Sequence, residues 1–235
     1  MIAVCLYGQP RNWELTQQWI RSQYGQADYF CSIKPSLPVE QLEQIVQVYQ
    51  SKSHRVEDPT FDGLGPSHYL FLGMASAIQL MQAHAWAHSI KYTHVLLQRY
   101  DLLVGPKIGQ MNEFLNNPLQ QDTLYFPTAA QSVRFFPHEG NRIGLPDWII
   151  AGDPMVMGIF AAASTAYFNP GGYNEKVTDN LLYTSHSMIQ KLCDSNNIKV
   201  QLDESLNGIL LRDSSKHLAQ SIQLNWETIA ANSAK

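Results

Sequence analysis

Residues 2–33 read IAVCLYGQPRNWELTQQWIRSQYGQADYFCSI, and this stretch decides the fold. Residues 2–6 form a short, unbroken apolar run that stops at Gly8 and Pro10. A run of that length without polar alternation fits a strand buried on both faces. Asn12 then stands where a helix N-cap belongs, Glu14 lies in the first turn, and Trp13, Leu15, Trp19 and Ile20 supply apolar positions. Residues 27–33 are a second apolar run. Strand, helix, strand without a tight turn is the unit of a parallel sheet, because parallel neighbours need a crossover connection.

The rhythm continues outward from there. Residues 39–49 place Leu42, Ile45, Val46 and Tyr49 at helical spacing behind Pro38, and residues 54–57 suit a third strand. A Pro/Gly/Asp loop at 58–66 precedes the longest helix, 67–90, with Leu70, Met74, Ala77, Ile78, Met81 and Ala85 along one stripe. That helix feeds a strand expected over 95–104. Beyond it come a polar turn at 116–123, a strand at 123–127 and an aperiodic segment, 129–146, that reads as a functional loop. Residues 148–152 read as loop, followed by a short helix that starts at Asp153 and Pro154 and runs to about 166. A break at 169–172, a helix at 176–196, extended segments at 199–202 and 205–212, and a polar tail complete the chain. The expected fold class is α/β, with a mostly parallel central sheet flanked by helices.

The 235 residues are 45% hydrophobic, enough for one substantial domain. A net charge of −4, and sixteen Lys and Arg without a run, argue against binding to nucleic acid or an anionic membrane. Cys5, Cys31 and Cys193 form no CxxC pair, so reduced core thiols are expected rather than a zinc site or a disulfide framework. The N-terminal run lacks the basic flank of a signal peptide. Residues 148–168 contain Asp153 and Pro154 and suit no membrane span. A cytoplasmic setting is the expectation.

Three constellations could carry chemistry. The first lies in residues 93–104, THVLLQRYDLLV, where Arg99 and Asp101 interrupt a run that otherwise looks buried. On a continuous strand both would project from one face. A buried charge must be met, so each other, a metal or a phosphorylated ligand has to satisfy them. Asp101 could offer a hard oxygen to Mg²⁺ or Mn²⁺, with Arg99 neutralising phosphate oxygens. The plain alternative is an internal ion pair.

The second is Tyr7, Gly8, Gln9, Pro10 and Arg11, between the first strand and first helix. Ligands bind beyond the carboxyl ends of parallel strands, Gly8 permits close backbone approach, and Arg11 can grip a phosphate; the alternative is a surface turn. Neither GxGxxG nor a P-loop is present. The third is Asp147, at the end of the irregular loop and beside Trp148, in a position that suits acceptor binding or a general base. Asp153 is explained by N-capping. His84 and His88 stand at i, i+4 and suit a half-exposed helix face better than a metal site, and His138 is a weaker single candidate.

Together, the strand ending in Gly-Gln-Pro-Arg, the long helix leading into strand-Arg-x-Asp, and the later Asp-x-Ile-x-x-Gly-Asp entry to a helix resemble GT-A-type glycosyltransferases. The closer likeness is to small glycosyltransferase-like proteins of bacteria and large viruses. In that superfamily an Asp-x-Asp holds a divalent cation on the nucleotide-sugar diphosphate; here Arg99 takes the first position and only Asp101 matches. The resemblance implies a single GT-A-like domain over 1–235, with a nucleotide-binding half (1–104), an acceptor and catalytic half (105–212) and a tail (213–235). It implies that Gly8, Gln9 and Arg11 hold the nucleotide, that Arg99 and Asp101 hold its diphosphate, with Mn²⁺ or Mg²⁺ on Asp101, and that Asp147 lies near the reacting sugar. The implied function is sugar transfer from a nucleotide-diphosphate donor to a glycan or small-molecule acceptor, in the host cytoplasm if the source is viral. A non-catalytic sugar-nucleotide or glycan-binding module is the alternative, and a sugar-nucleotide pyrophosphorylase a third reading.

Overall fold

The computed structural model describes residues 1–57, 66–104, 110–128, 145–168 and 185–210. Seven strands form the main sheet: β1 (Ile2–Gly8), β2 (Asp28–Ile33), β3 (Ser53–Val56), β4 (His94–Arg99), β6 (Thr123–Pro127), β7 (Ile149–Gly152) and β8 (Lys199–Asp203). Their order is β3-β2-β1-β4-β7-β6-β8. β1 pairs in parallel with β2 and β4, β2 with β3, and β6 with β8, while β7 runs antiparallel to both β4 and β6. Six strands therefore share one direction and β7 alone opposes them. The α/β class read from the sequence is the observed one.

Both faces of the sheet are covered, which is why β1 and β2 lack polar alternation. Ala3, Cys5, Tyr7, Val95 and Leu97 belong to a core under α3 (Pro66–His88), α5 (Pro154–Phe168) and α6 (Ser185–Ser195). Val4, Leu6, Cys31, Ile33 and Leu96 belong to a second core under α1 (Trp13–Tyr24), α2 (Val39–Tyr49) and α4 (Gln110–Asn116). Cys5, Cys31 and Cys193 are buried free thiols, and burial pushes Cys31 up to about 11 and Cys193 up to about 12.

Four local expectations need correction. The strand expected over 95–104 is broken: the chain leaves the main sheet at Arg99, turns at Tyr100 and Asp101, and re-enters extended structure as β5 (Leu102–Val104). β5 pairs antiparallel with β9 (Gly208–Leu210) in a separate two-stranded sheet. Side-chain hydrogen bonds hold this turn in place of glycine or proline. Gln98 Nε2 donates to the Leu102 carbonyl at 3.1 Å, the Tyr24 hydroxyl donates to Gln98 Oε1, and Thr16 Oγ1 donates to the Tyr100 carbonyl at 2.5 Å.

Residues 149–152, read as loop, are the strand β7, filling the slot between β4 and β6. The extended segment at 205–212 begins instead with a 3-10 turn, Glu204–Leu206. Asn12 takes the N-cap position of α1 with φ 52° and makes no side-chain capping bond. Asp153 does cap α5, its Oδ1 accepting from the Val156 amide at 2.8 Å. The loop at 58–65, His138 with residues 129–144, the break at 169–172 and the start of the 176–196 helix lie outside the described residues.

Candidate functional site

Because six strands are co-directional, their carboxyl ends line one edge, and the N-terminal end of antiparallel β7 joins them there. That edge carries Tyr7 and Gly8 from β1, Ile33 from β2, Arg99 from β4 and Asp147 just before β7. Tyr7 and Arg99 are register partners on β1 and β4. The single reversal in the sheet brings Asp147, which is 48 positions from Arg99 in the sequence, to the same place: the Arg99 amide donates to the Trp148 carbonyl at 3.1 Å.

Arg99 and Asp101 meet each other. Arg99 Nε donates to Asp101 Oδ1 at 2.8 Å and Nη2 to Oδ2 at 2.7 Å, a bidentate pair in which the Asp101 side chain is only 1% exposed. The turn at Tyr100 makes this possible, since it lets the carboxylate fold back onto the guanidinium two residues earlier. Burial alone would lower the Arg99 pKa. The hydrogen bonds and charge of Asp101, with the charges of Tyr7 and Asp147, outweigh it and drive the value above the ordinary arginine range. Arg99 is thus a fixed cation, 18% exposed, held at the sheet edge.

Asp147 is 7% exposed, and its carboxylate acts electrostatically on both Arg99 and Tyr7. Tyr7, fully buried, donates its hydroxyl to the Asp147 carbonyl. The sequence places Tyr7 beside Gly8 but gives it no role, because an aromatic at the end of a buried strand is ordinary core. The available signal was its hydroxyl, which must find a partner once buried.

Gly8 has φ 89°, a conformation that favours glycine, and its carbonyl accepts from the Lys34 amide at 3.1 Å. Gln9 is half-buried and Arg11 exposed, with the Arg11 amide donating to the Gln9 carbonyl at 2.8 Å. α3 passes close behind: a Cβ on Gly73 would lie 3.8 Å from the Gly8 nitrogen. Ser32 donates to Glu57 at the same edge. The structure therefore places Gly8, Gln9, Arg99, Asp101 and Asp147 along one edge of the sheet, with Arg11 on the loop that leaves it.

The fit of a divalent cation is testable from the donor set. Both Asp101 oxygens are already engaged by Arg99, and no group of three or more His, Cys, Asp or Glu side chains among the described residues could hold a metal ion. The described residues do not fit a metal centre. His84 and His88 lie with ring centroids 4.3 Å apart on α3, far along the helix from Gly73 and this edge.

No protein-family model matches the chain, and no curated protein sequence matches it. Solved structures do share its fold. The glycosyltransferase GlyE of Streptococcus pneumoniae TIGR4 is 13% identical, with a TM-score of 0.50 over 86% of this chain and 45% of that one. The inositol-1-phosphate CTP transferase of T. maritima is 9% identical, with a TM-score of 0.50 over 94% of this chain and 96% of that one. This chain spans less than half the length of GlyE. At such identities the likeness is one of fold alone, an α/β architecture with a mostly parallel central sheet flanked by helices.

Proposed function

We propose that the protein is a transferase acting on a nucleotide-diphosphate sugar, with the donor seated at the carboxyl edge of the sheet. The observation that carries this reading is the fixed Arg99 cation, bracketed by Asp101 and Asp147 at the central strand's carboxyl end. In open α/β sheets ligands sit at this edge. The Gly8 conformation leaves the backbone open to a nucleotide, Arg11 and Arg99 supply positive charge toward its phosphates, and Asp101 keeps Arg99 in place rather than holding a metal. As the bond between the anomeric carbon and the diphosphate oxygen breaks, negative charge grows on the departing phosphate, which a pre-set guanidinium stabilises. The acceptor hydroxyl bonds to that carbon and passes its proton to the Asp147 carboxylate.

A second reading has its own support. The CTP transferase matches nearly end to end in both chains, so nucleotidyl transfer to a sugar or polyol phosphate uses the same architecture. Two assays separate the readings. Release of a nucleoside diphosphate from nucleotide sugars supports glycosyl transfer; release of pyrophosphate from a nucleoside triphosphate plus a sugar phosphate supports the second reading and overturns the first. Binding of nucleotide sugars with neither product leaves a non-catalytic binding module. Chelator added to the binding assay tests the metal: the reading with Arg99 as the local cation expects unchanged donor affinity, and a strict Mn²⁺ or Mg²⁺ requirement overturns it.

A further inference from the structure

The carboxyl edge of the sheet continues past β7 to the ends of β6 and β8, which the proposed donor site does not use. A cavity of about 550 Å³ lies there, between α4, β6, β8 and the 3-10 turn at Glu204–Leu206. Its floor is aromatic: Phe114 and Tyr125 meet edge to face, with ring centroids 5.6 Å apart. Its walls are polar, with Glu113, Gln201 and Glu204 exposed and Thr128 and Asp203 half-buried. Small-molecule cavities of this size are ordinarily lined mostly by apolar groups. Walls of carboxylates, amides and hydroxyls suit a hydrophilic ligand instead.

Hydrogen bonds fix these walls in place. Asn207 Nδ2 donates to Thr128 Oγ1 at 2.7 Å, tying the end of β6 to the chain after β8. Asp203 Oδ1 accepts from the Ser205 amide at 2.8 Å and caps the 3-10 turn. That turn sets Ser205 in the wall, 8% exposed, and its hydroxyl has no hydrogen-bond partner among the described residues. A hydroxyl buried to that degree calls for a partner, and a ligand in the cavity can supply one.

The cavity ends beside Asp147. Tyr125 of β6 is the antiparallel register partner of Ala151 on β7, and continuing that register sets Thr128 opposite Trp148, the residue directly after Asp147. Arg11, Lys34 and Arg99 lie on the other side of β7, along β1, β2 and β4. No Lys or Arg lines the cavity, whereas Glu113, Asp203 and Glu204 do. Lys199, the one cation of β8, sits at the far end of that strand, paired with Asp122 at 2.6 Å. A cleft lined by charge of one sign repels ligands of the same sign.

We infer that this cavity binds the acceptor, and that the acceptor is an uncharged or amino-bearing sugar without phosphate or carboxylate groups. Carboxylate and amide oxygens accept from sugar hydroxyls, while the Gln201 amide and the Ser205 hydroxyl donate to sugar oxygens. An anionic sugar would face three carboxylates with no counter-charge beside them. The ligand's role as acceptor rests on the transferase reading; its binding does not.

Amide ¹H–¹⁵N spectra of the full chain test this, titrated with the methyl glycosides of glucose, galactose, mannose, N-acetylglucosamine and glucosamine, and with glucose 6-phosphate. At least one glycoside should shift the amides of Thr128, Gln201 and Ser205 at millimolar concentration, and glucose 6-phosphate should leave them in place. Ser205→Ala should weaken that glycoside about two- to ten-fold, the ordinary worth of one hydrogen bond. Gln201→Ala, at an exposed position, should do the same and serves if Ser205→Ala does not fold. No shift with any glycoside, an equal response to glucose 6-phosphate, or unchanged affinity in the folded variants would overturn the inference. Cavity shifts without any response of Gly8 or Lys34 to nucleotide sugars would leave a sugar site and sink the transferase reading. The reverse pattern would sink this inference alone.

Discussion

Asp147 has two roles that substitution can separate. Its main-chain carbonyl anchors the Tyr7 hydroxyl, while its carboxylate acts on Arg99. Asp147→Asn keeps the carbonyl and the side-chain size and removes only the charge. As the general base of the proposed transfer, its loss should lower kcat by about 10²–10⁴, with donor affinity within a few-fold of wild type. Full activity in that variant would remove Asp147 from the mechanism. His94 offers a residue-scale test of stability. Burial lowers its pKa below the ordinary 6.5, and its ring nitrogens meet Thr93 Oγ1 at 3.0 Å and the Asn117 carbonyl at 2.9 Å. The unfolded chain therefore takes up this proton first as pH falls. The stability His94 contributes is present above about pH 6.5 and is lost as pH drops through the lower folded value. Urea unfolding at several pH values should show His94→Gln with a flatter acid-side decline than wild type.

At the scale of elements, the break between β4 and β5 shapes the site, because β5 and β9 fix the segment directly after Asp101. The register pairs Leu102 with Leu210 and Val104 with Gly208. A Cβ on Gly208 would meet the Leu103 carbonyl oxygen at 2.6 Å and the Val104 Cα at 3.2 Å, backbone atoms that move only if the pairing opens. Gly208→Ala should therefore cost about 1–3 kcal/mol, seen as a lower denaturation midpoint. Gly73→Ala is the contrasting case. It is helical, its new Cβ would find neighbours only at 3.6–3.9 Å, and it should stabilise by about 0.5–1 kcal/mol. These elements also mark what the sequence could reveal. β1, α1, β2, α2 and α3 were legible because apolar runs, helical spacing and Gly/Pro stops coincide there. The turn at Tyr100 was not, because a Gln98 side-chain bond to Leu102 and long-range bonds from Tyr24 and Thr16 hold it with no turn residue present. β7 was hidden because four apolar residues before a helix look alike as strand or loop. Arg99 and Asp101 were legible as charges out of place, and their union was one of the outcomes the chain left open. Asp147 was legible as a carboxylate without a capping role, whereas its meeting with Arg99 depends on β7 reversing direction.

The whole molecule sets a final constraint on the proposed function, because a nucleotide-sugar donor would be an anion approaching a chain of net charge −4. Local charge has to overcome the global sign. Arg11 follows the carboxyl end of β1, Lys34 that of β2, and Arg99 closes β4, against the carboxylates of Asp101, Asp147 and Glu57 at the same edge, so the edge is less negative than the chain as a whole. A ligand bound to the folded chain alone raises its stability by RT ln(1 + [L]/Kd), about 2.7 kcal/mol at a hundred times Kd. For a domain of this size each kcal/mol moves Tm by about 2–4 °C, so saturation should raise it by roughly 5–10 °C. Thermal shift with UDP, GDP and CMP sugars should single out one nucleotide class with that response. If Arg99 supplies the charge as proposed, the shift should survive chelator, and it should shrink with added salt, because Arg11 is exposed and screened. Arg99→Ala should abolish it, although that variant also leaves Asp101 buried and unpaired, and its ligand-free Tm should fall. Arg11→Ala removes an exposed cation without that cost, so a smaller shift at an unchanged ligand-free Tm would isolate the electrostatic contribution to binding. No shift with any nucleotide sugar would count against the whole donor site, and a shift that Arg11→Ala leaves intact would confine recognition to the buried edge of the sheet.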